Sequence, residues 1–396
     1  MKKIQRSIFL CGIFLLSSLL VPTLVYSKSK PAIQWSKTYS GSQEEAHAHY
    51  IIEMSDGGFV QIGETGFIED LTARILIVKT DSNGDLSWKK EFGSPGYNLG
   101  NSIVEGPDAS LIAVGSLNKD AFIIKLDATS GKTIWKKIWN PGTEDAFEAV
   151  AISETGGIIA TGYKNGIAEN TLYNEGEGYL IKTDKDGNEV FVRDINTVLS
   201  TGYRIKTLSD GYLIMGMPLL EGKPQYKIVK YNFDGEFVWG KGFLGDTLFW
   251  GFDVDDKGNI FLSGHDTKGP LSKNYDVVTA KLTATGDEIW RRWSGQPRGY
   301  NAKFIHDETW GLRQTNDGGC LVVAGSGDEY SYSASGHSTG SSDRWVIYLI
   351  KYDAKGRKEW QLVRSGLDVW GEDGDWAGED VVITAEGDIV VAVDNG

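Results

Sequence analysis

Apolar positions along the chain fall in short runs separated by Asp-, Asn- and Gly-rich breaks. The clearest unit is Ile77-Val78-Lys79-Thr80-Asp81-Ser82-Asn83-Gly84-Asp85-Leu86-Ser87-Trp88. An apolar run ends in Lys, a turn follows, and a second run closes on Trp. β-formers on both sides of residues that tolerate positive φ predict a β-hairpin. The hairpin returns at Phe122 to Trp135, Tyr179 to Val192 (where Val replaces Trp), Lys227 to Trp239, Val277 to Trp290 and Tyr348 to Trp360. Ahead of each copy lies another strand pair. The first runs Tyr50 to Glu53, turns at Asp56-Gly57-Gly58 and returns as Phe59 to Gly63. Its copies start at Ile103, Val150, Ile205, Phe252 and Leu312. No stretch has sustained helical periodicity with caps.

Four strands per unit, at a period of roughly 45–70 residues, predict an all-β chain folded as a β-propeller of antiparallel blades. A further pair begins at Glu379 to Ile383 and Ile389 to Val393, and Ile33 to Tyr39 reads as an orphan fourth strand. The expectation is therefore seven blades, the last closed by the N-terminal strand. Closure removes sheet edges, which otherwise invite aggregation. The Lys-bearing strand of that blade does not occur before Gly396. The blade thus reads as truncated, and the natural chain is expected to continue.

The units resemble secreted bacterial and archaeal propeller repeats written DGG-(apolar)-G … LIKTD-x-x-G-x-x-x-W, over residues 32–396. Asp127-Ala128-Thr129-Ser130-Gly131-Lys132-Thr133-Ile134-Trp135 also resembles the tryptophan-docking motif of quinoprotein-like propellers. The resemblance implies fold. Quinoproteins that bind pyrroloquinoline quinone typically place adjacent cysteines over the cofactor. The only cysteines here are Cys11 and Cys320, so no cofactor is expected.

Lys2, Lys3 and Arg6 precede an apolar run from Ile8 to Val25, followed by Tyr26-Ser27. This predicts a signal peptide over 1–27 and a single propeller domain over 28–396. The mature chain would be secreted, periplasmic or at the cell surface, with no membrane span. Losing three positive charges would take the net charge from −14 to −17. That acidity argues against nucleic acid and anionic membranes as partners. Cys320 alone would remain, which excludes an intrachain disulfide and reads as buried and inert.

Comparing the repeats with one another separates scaffold from site. Lys79, Lys125, Lys182, Lys230, Lys281 and Lys351 recur, and read as stems covering apolar surface and pairing with an acid near the turn. Trp88, Trp135, Trp239, Trp290 and Trp360 read as packing between blades. Asp-rich turns such as Asp184 to Asn188 lack a full calcium-ligand set and read as hairpin turns. The first strand lines the channel. At the position of Ile51 every unit is apolar: Ile103, Val150, Ile205, Phe252, Leu312 and Val381. Two residues earlier stand His49, Asn101, Glu148, Tyr203, Trp250, Trp310 and Glu379. Strand alternation places this mixed set on the packed side, nearer the mouth, where the sheets splay. Aromatic faces can stack on sugar rings while polar groups fix orientation.

Arg204 and Arg313 could clamp a carboxylate. His47 and His49 share a strand face and could chelate a metal with a third ligand from another blade, such as Glu379; they read instead as two partly exposed strand histidines, and no metal site is assigned. His265 and His306 read as lying in connections. The long Ser/Gly-rich connection from Gly325 to Trp345, and a shorter one from Lys164 to Gly178, depart most from the repeat.

The leading expectation is a non-catalytic binding propeller that takes an oligo- or polysaccharide, or another polymer, at the channel mouth. A polysaccharide lyase or hydrolase is the alternative. His49 or Tyr203 would act as base with Arg204 or Arg313 neutralising a uronate, or Glu148 and Glu379 would act as a carboxylate pair. A structural or assembly propeller with a cell-envelope partner is the third.

Overall fold

The computed structural model describes residues 30–43, 46–68, 70–166, 176–219, 226–242, 247–267, 275–295, 297, 306–327, 345–371 and 374–394. The expected leader over 1–27, most of the long connection after Gly327 and the centre of the shorter one lie outside the described residues.

Blade one comprises β1 (Ala46–Glu53), β2 (Phe59–Thr65), β3 (Ala73–Thr80) and β4 (Leu86–Gly96). Blade two follows with β5 (Asn98–Glu105), β6 (Ser110–Leu117), β7 (Asp120–Asp127) and β8 (Thr133–Trp139). Blade three holds β9 (Ala146–Ile152), β10 (Ile158–Lys164), β11 (Glu177–Thr183) and β12 (Glu189–Asp194). Blade four holds β13 (Thr201–Leu208), β14 (Gly211–Met217), β15 (Ile228–Tyr231) and β16 (Phe237–Lys241). Blade five holds β17 (Leu248–Val254), β18 (Ile260–Thr267), β19 (Tyr275–Leu282) and β20 (Glu288–Ser294). Blade six holds β21 (His306–Gln314), β22 (Cys320–Gly327), β23 (Val346–Tyr352) and β24 (Lys358–Arg364). After a one-turn helix, α1 (Gly366–Val369), come β25 (Ala377–Ile383) and β26 (Ile389–Asp394). Ser365 caps α1 through a reciprocal bond with Asp368. This short helix is an addition to the strands read from the sequence.

Each of the six four-stranded sheets is an antiparallel meander in chain order, while β25 and β26 form a sheet of two. The first strands β1, β5, β9, β13, β17, β21 and β25 touch in succession, and β25 returns to β1, closing an inner ring. The expectation of seven blades is corrected: among the described residues there are six, plus a two-stranded unit between blade six and blade one. The expected closure by the N-terminal strand is corrected too, because residues 31–41 form no strand. No third strand pairs with β26 among the described residues, so the segment has no ladder to join. It is held instead by side chains. Trp35 packs on Phe59, Lys37 reaches Asp85 at 2.9 Å, and Tyr39 donates to the Gly84 carbonyl.

The core lies between neighbouring sheets. Ile62, Ile75 and Ile77 of blade one pack on Phe122 and Ile124 of blade two. Burial of that apolar surface is the main favourable term. The recurring Lys and Trp register the blades, as their repetition suggests. Lys79 bonds Asp56 at 2.6 Å, Lys125 bonds Asp108 at 2.8 Å, Lys230 bonds Asp210 at 2.6 Å and Lys351 bonds Asp317 at 2.8 Å. Lys182 meets Glu154, and Lys281 approaches Asp255 at 3.8 Å. Each acid stands on the turn between the first and second strands. Its hydrogen bond to Lys125 brings Asp108 down to about 2. Trp88 Nε1 donates to the Ala128 carbonyl at 3.0 Å, and Trp290 Nε1 to that of Ala354 at 3.1 Å. Each Trp thus docks on the outer turn of the next blade. Gly356 (φ +71°) must be glycine there, since a Cβ would lie 2.6 Å from the Trp290 ring. Cys320 is fully buried, and burial pushes its thiol up to about 12.

Lys351 is fully buried and also faces Glu359, whereas Lys230 pairs with a largely exposed Asp210. Lys351→Ala is therefore expected to cost roughly 2–3 kcal/mol, because it removes a fully buried side chain and leaves Asp317 and the partly buried Glu359 without their cation. Lys230→Ala should cost about 1 kcal/mol or less. Urea unfolding of the two variants checks this, and equal losses would contradict it.

Candidate functional site at the channel mouth

Each first strand carries one register shift, and each falls on the residue singled out in the sequence. The shifts lie between Ala48 and Tyr50, Gly100 and Ser102, Gly202 and Arg204, Phe249 and Gly251, Thr309 and Gly311, and Gly378 and Asp380. In blade three, Phe147 and Ala149 pair with consecutive residues of β10, leaving Glu148 extra. His49, Asn101, Glu148, Tyr203, Trp250, Trp310 and Glu379 are thus all bulge residues. A bulge interrupts strand alternation and re-aims its side chain. Simple period-two alternation, used to place these residues from sequence, does not hold where they sit. The apolar position two residues later is buried throughout, from Ile51 to Val381.

The bulges bring the ionisable members together. His49 Nε2 donates to both oxygens of the buried Glu64 carboxylate at 2.8 Å. Burial opposes charge on this ring, but Glu64 prevails and His49 rises to about 9. His47 Nδ1 lies 2.9 Å from the Asp394 carboxylate and likewise reaches about 9 against the cost of burial. Burial lifts Glu148 to about 7, although Arg204 and His49 pull the other way. Burial also lifts Glu379, to about 8, with the Asp394 charge adding to it and the histidine charges opposing it. Neither Glu148 nor Glu379 hydrogen-bonds another side chain among the described residues. His49 therefore stands within electrostatic reach of both free carboxyl groups.

The aromatic members form a wall. Tyr203 packs on Trp250 at 4.6 Å between ring centroids, and Trp250 on Trp310 at 5.2 Å. Tyr203 and Trp250 are 5% exposed and belong to the packed core between blades, while Trp310 is half-buried. Asn101 is buried, and its amide donates to the Phe147 carbonyl of the next blade at 3.1 Å, a bond between first strands.

Further along the strands lies a second charged layer. Arg313 bonds Asp380 at 2.8 Å, and Lys206 bonds Asp253 at 2.9 Å. Arg313 and Arg204 both lie over the Tyr50 ring, at 5.3 Å and 5.7 Å. Arg313 is thus occupied by an internal acid. Arg204 forms no ion pair among the described residues and remains available to an anion. His265 and His306 lie on β18 and β21, not in connections. Burial holds His265 below its ordinary value, and His306 bonds Glu308 at 2.9 Å. No group of three His, Cys, Asp or Glu among the described residues is arranged to hold a metal ion.

Sequence reasoning missed Glu64 and Asp394. Both occupy one register position on the second strand, whose members in chain order are Glu64, Ser116, Tyr163, Met217, His265, Gly325 and Asp394. That set is as varied as the first-strand ring, so the same comparison between repeats could have found it.

No family model matches the chain, and no curated protein matches it. Solved structures do. A streptogramin B lyase structure aligns with TM-score 0.51 at 12% identity, over 90% of this chain and 96% of that one. The Pan2 WD40 domain of Neurospora crassa aligns with TM-score 0.52 at 10% identity, over 88% and 86%. A hypothetical selenium-binding protein from Sulfolobus tokodaii gives 0.51 at 12% identity, over 80% and 81%. The chain is a β-propeller. At these identities the likeness concerns the fold alone.

His49, Glu148 and Glu379 all hold protons more tightly folded than unfolded. Folding stability should therefore fall as pH rises. The carboxyl contributions are lost first, between about 4.5 and 8, and that of His49 between about 6.5 and 9. Glu148→Gln and Glu379→Gln should flatten the first part of this decline. Denaturant midpoints across pH 4–9 test the sign, and stability rising over that range would contradict it.

Proposed function

We propose that the channel mouth binds a hydroxyl-rich ligand, an oligosaccharide or a polysaccharide segment, with the chain acting outside the cytoplasm after loss of residues 1–27. One observation carries the reading: every first strand spends its single bulge on a non-repeating side chain at the same end of the channel. A bulge used only for bending would tolerate one residue type in every blade. The chemistry of the set suits hydroxyl groups. Glu148 and Glu379, held partly protonated near neutral pH, can donate as well as accept. His49 is a charged donor, Arg204 is unpaired among the described residues, and Trp310 offers a partly open ring.

The raised carboxyl groups support a second reading, proton transfer to a glycosidic or uronate substrate. Glu148 near 7 has the proton affinity that general acid–base work at neutral pH requires. A structural role in envelope assembly would need none of this polar convergence.

A glycan array and a uronate-polymer panel test both readings on one preparation. Binding is expected for wild type and a loss of roughly tenfold or more for Glu148→Ala and Arg204→Ala, each removing one charged hydrogen bond. Turnover with a pH profile breaking near 7, and lost in Glu148→Gln, would favour the second reading. No binding and no turnover would sink both.

A further inference from the structure

Side chains of blades that are not neighbours can meet only across the channel. Arg204 of blade four lies over the Tyr50 ring of blade one, 5.7 Å from its centroid. Arg313 of blade six lies over the same ring at 5.3 Å. Both contacts are cation–π contacts on one aromatic face system, so the three side chains converge inside the ring of first strands. Lys206 stands two residues beyond Arg204 on β13, on the same strand face. Its ammonium meets Asp253 of blade five at 2.9 Å, yet its side chain is 38% exposed. The channel therefore admits solvent at this depth.

The charges here do not balance. Asp380 matches Arg313 at 2.8 Å and Asp253 matches Lys206, whereas Arg204 forms no ion pair among the described residues. One N–H of the Arg204 fork goes to the Tyr203 carbonyl at 3.0 Å, which leaves most of its donors to the channel. Tyr50 is half-buried, and its hydroxyl makes no hydrogen bond among the described residues. At the level of Tyr50 and Arg204 the other first strands carry Ser102, Ala149, Gly251, Gly311 and Asp380. Four of these are small and send little into the channel. The whole chain has 54 acidic and 40 basic residues, so a local cationic excess is not a consequence of composition. Inside an enclosed channel such an excess focuses an attractive field on anions.

We propose that Arg204, Lys206 and the Tyr50 hydroxyl form an oxyanion site within the channel, below the mouth, that takes a carboxylate, sulfate or phosphate group. Arg204 supplies the unmatched charge and a planar fork of donors suited to such a group. Lys206 shares its ammonium between Asp253 and the anion, and Tyr50 adds an O–H. The group belongs either to a free inorganic oxyanion or to an acidic ligand seated at the mouth. The site stands apart from the hydroxyl-binding reading of the mouth, with Arg204 the one residue common to both.

The test is calorimetric titration of the full chain with sodium sulfate, at ionic strength held constant with chloride. One saturable site is expected, with Kd of about 1 mM or tighter. Arg204→Met breaks no ion pair and should stay folded, with sulfate binding weakened roughly tenfold or more. Tyr50→Phe keeps the ring beneath both guanidinium groups and removes only the hydroxyl, so a loss of roughly threefold to tenfold is expected. Absence of saturable sulfate binding would overturn the proposal, as would wild-type affinity in folded Arg204→Met. An oligogalacturonate that displaces sulfate supports the site and assigns the group to an acidic ligand at the mouth. Sulfate binding untouched by the oligogalacturonate supports it as a site for a free oxyanion. Sulfate binding without any binding of a neutral oligosaccharide would sink the reading of the mouth and leave the oxyanion site standing.

Discussion

Closing a ring of first strands around one axis is the constraint on which everything else depends. Each strand must pack against two neighbours while carrying its own sheet outward. Each contains one bulge, and a bulge bends its strand and sharpens the local twist. The bulge also frees one side chain from the pairing register. Closure and site are therefore products of the same residue: the fold needs the bulge, and its side chain is left to the chemistry of the mouth. The apolar residue two places on does the packing, so identity at the bulge is not dictated by the core.

Repetition made the frame legible. Alternating apolar runs, Gly-bearing turns and the Lys and Trp periods predicted four-stranded blades, and the structure has them. The same Lys and Trp were read as scaffold, and the Lys–acid bonds and tryptophan docking give the reason. Blade number was less legible. Repeat counting finds a strand pair at residues 379–393 but cannot tell whether Ile33 to Tyr39 will join a ladder. That depends on a hydrogen-bonded neighbour beside β26, which no local pattern encodes. The result is six blades and a two-stranded unit.

The site was legible by position and not by contact. Comparing repeats selected the seven first-strand residues, yet alternation gave the wrong reason for their orientation. Long-range pairing decided their roles. Arg313 is consumed by Asp380, and Asn101 by a neighbouring carbonyl, whereas Arg204 stays free of an ion pair among the described residues. Glu64 and Asp394 make the histidines cationic from second strands that the comparison left aside. The two-stranded unit shows the same logic reversed. Its turn repeats the hydrogen bonds of the other blades' turns, and Trp35 sits over Gly84 as Trp88 sits over Gly131.

The central claim is that the bulge residues share one protein-enclosed electrostatic environment. Carboxyl-carbon NMR titration of Glu148 and Glu379 tests it most directly. The account expects both to titrate well above the ordinary glutamate range, near 7 and 8, and to move when His49 is replaced by Gln. Titration of both near 4.5, the value of a solvated glutamate, with no response to His49 would contradict it.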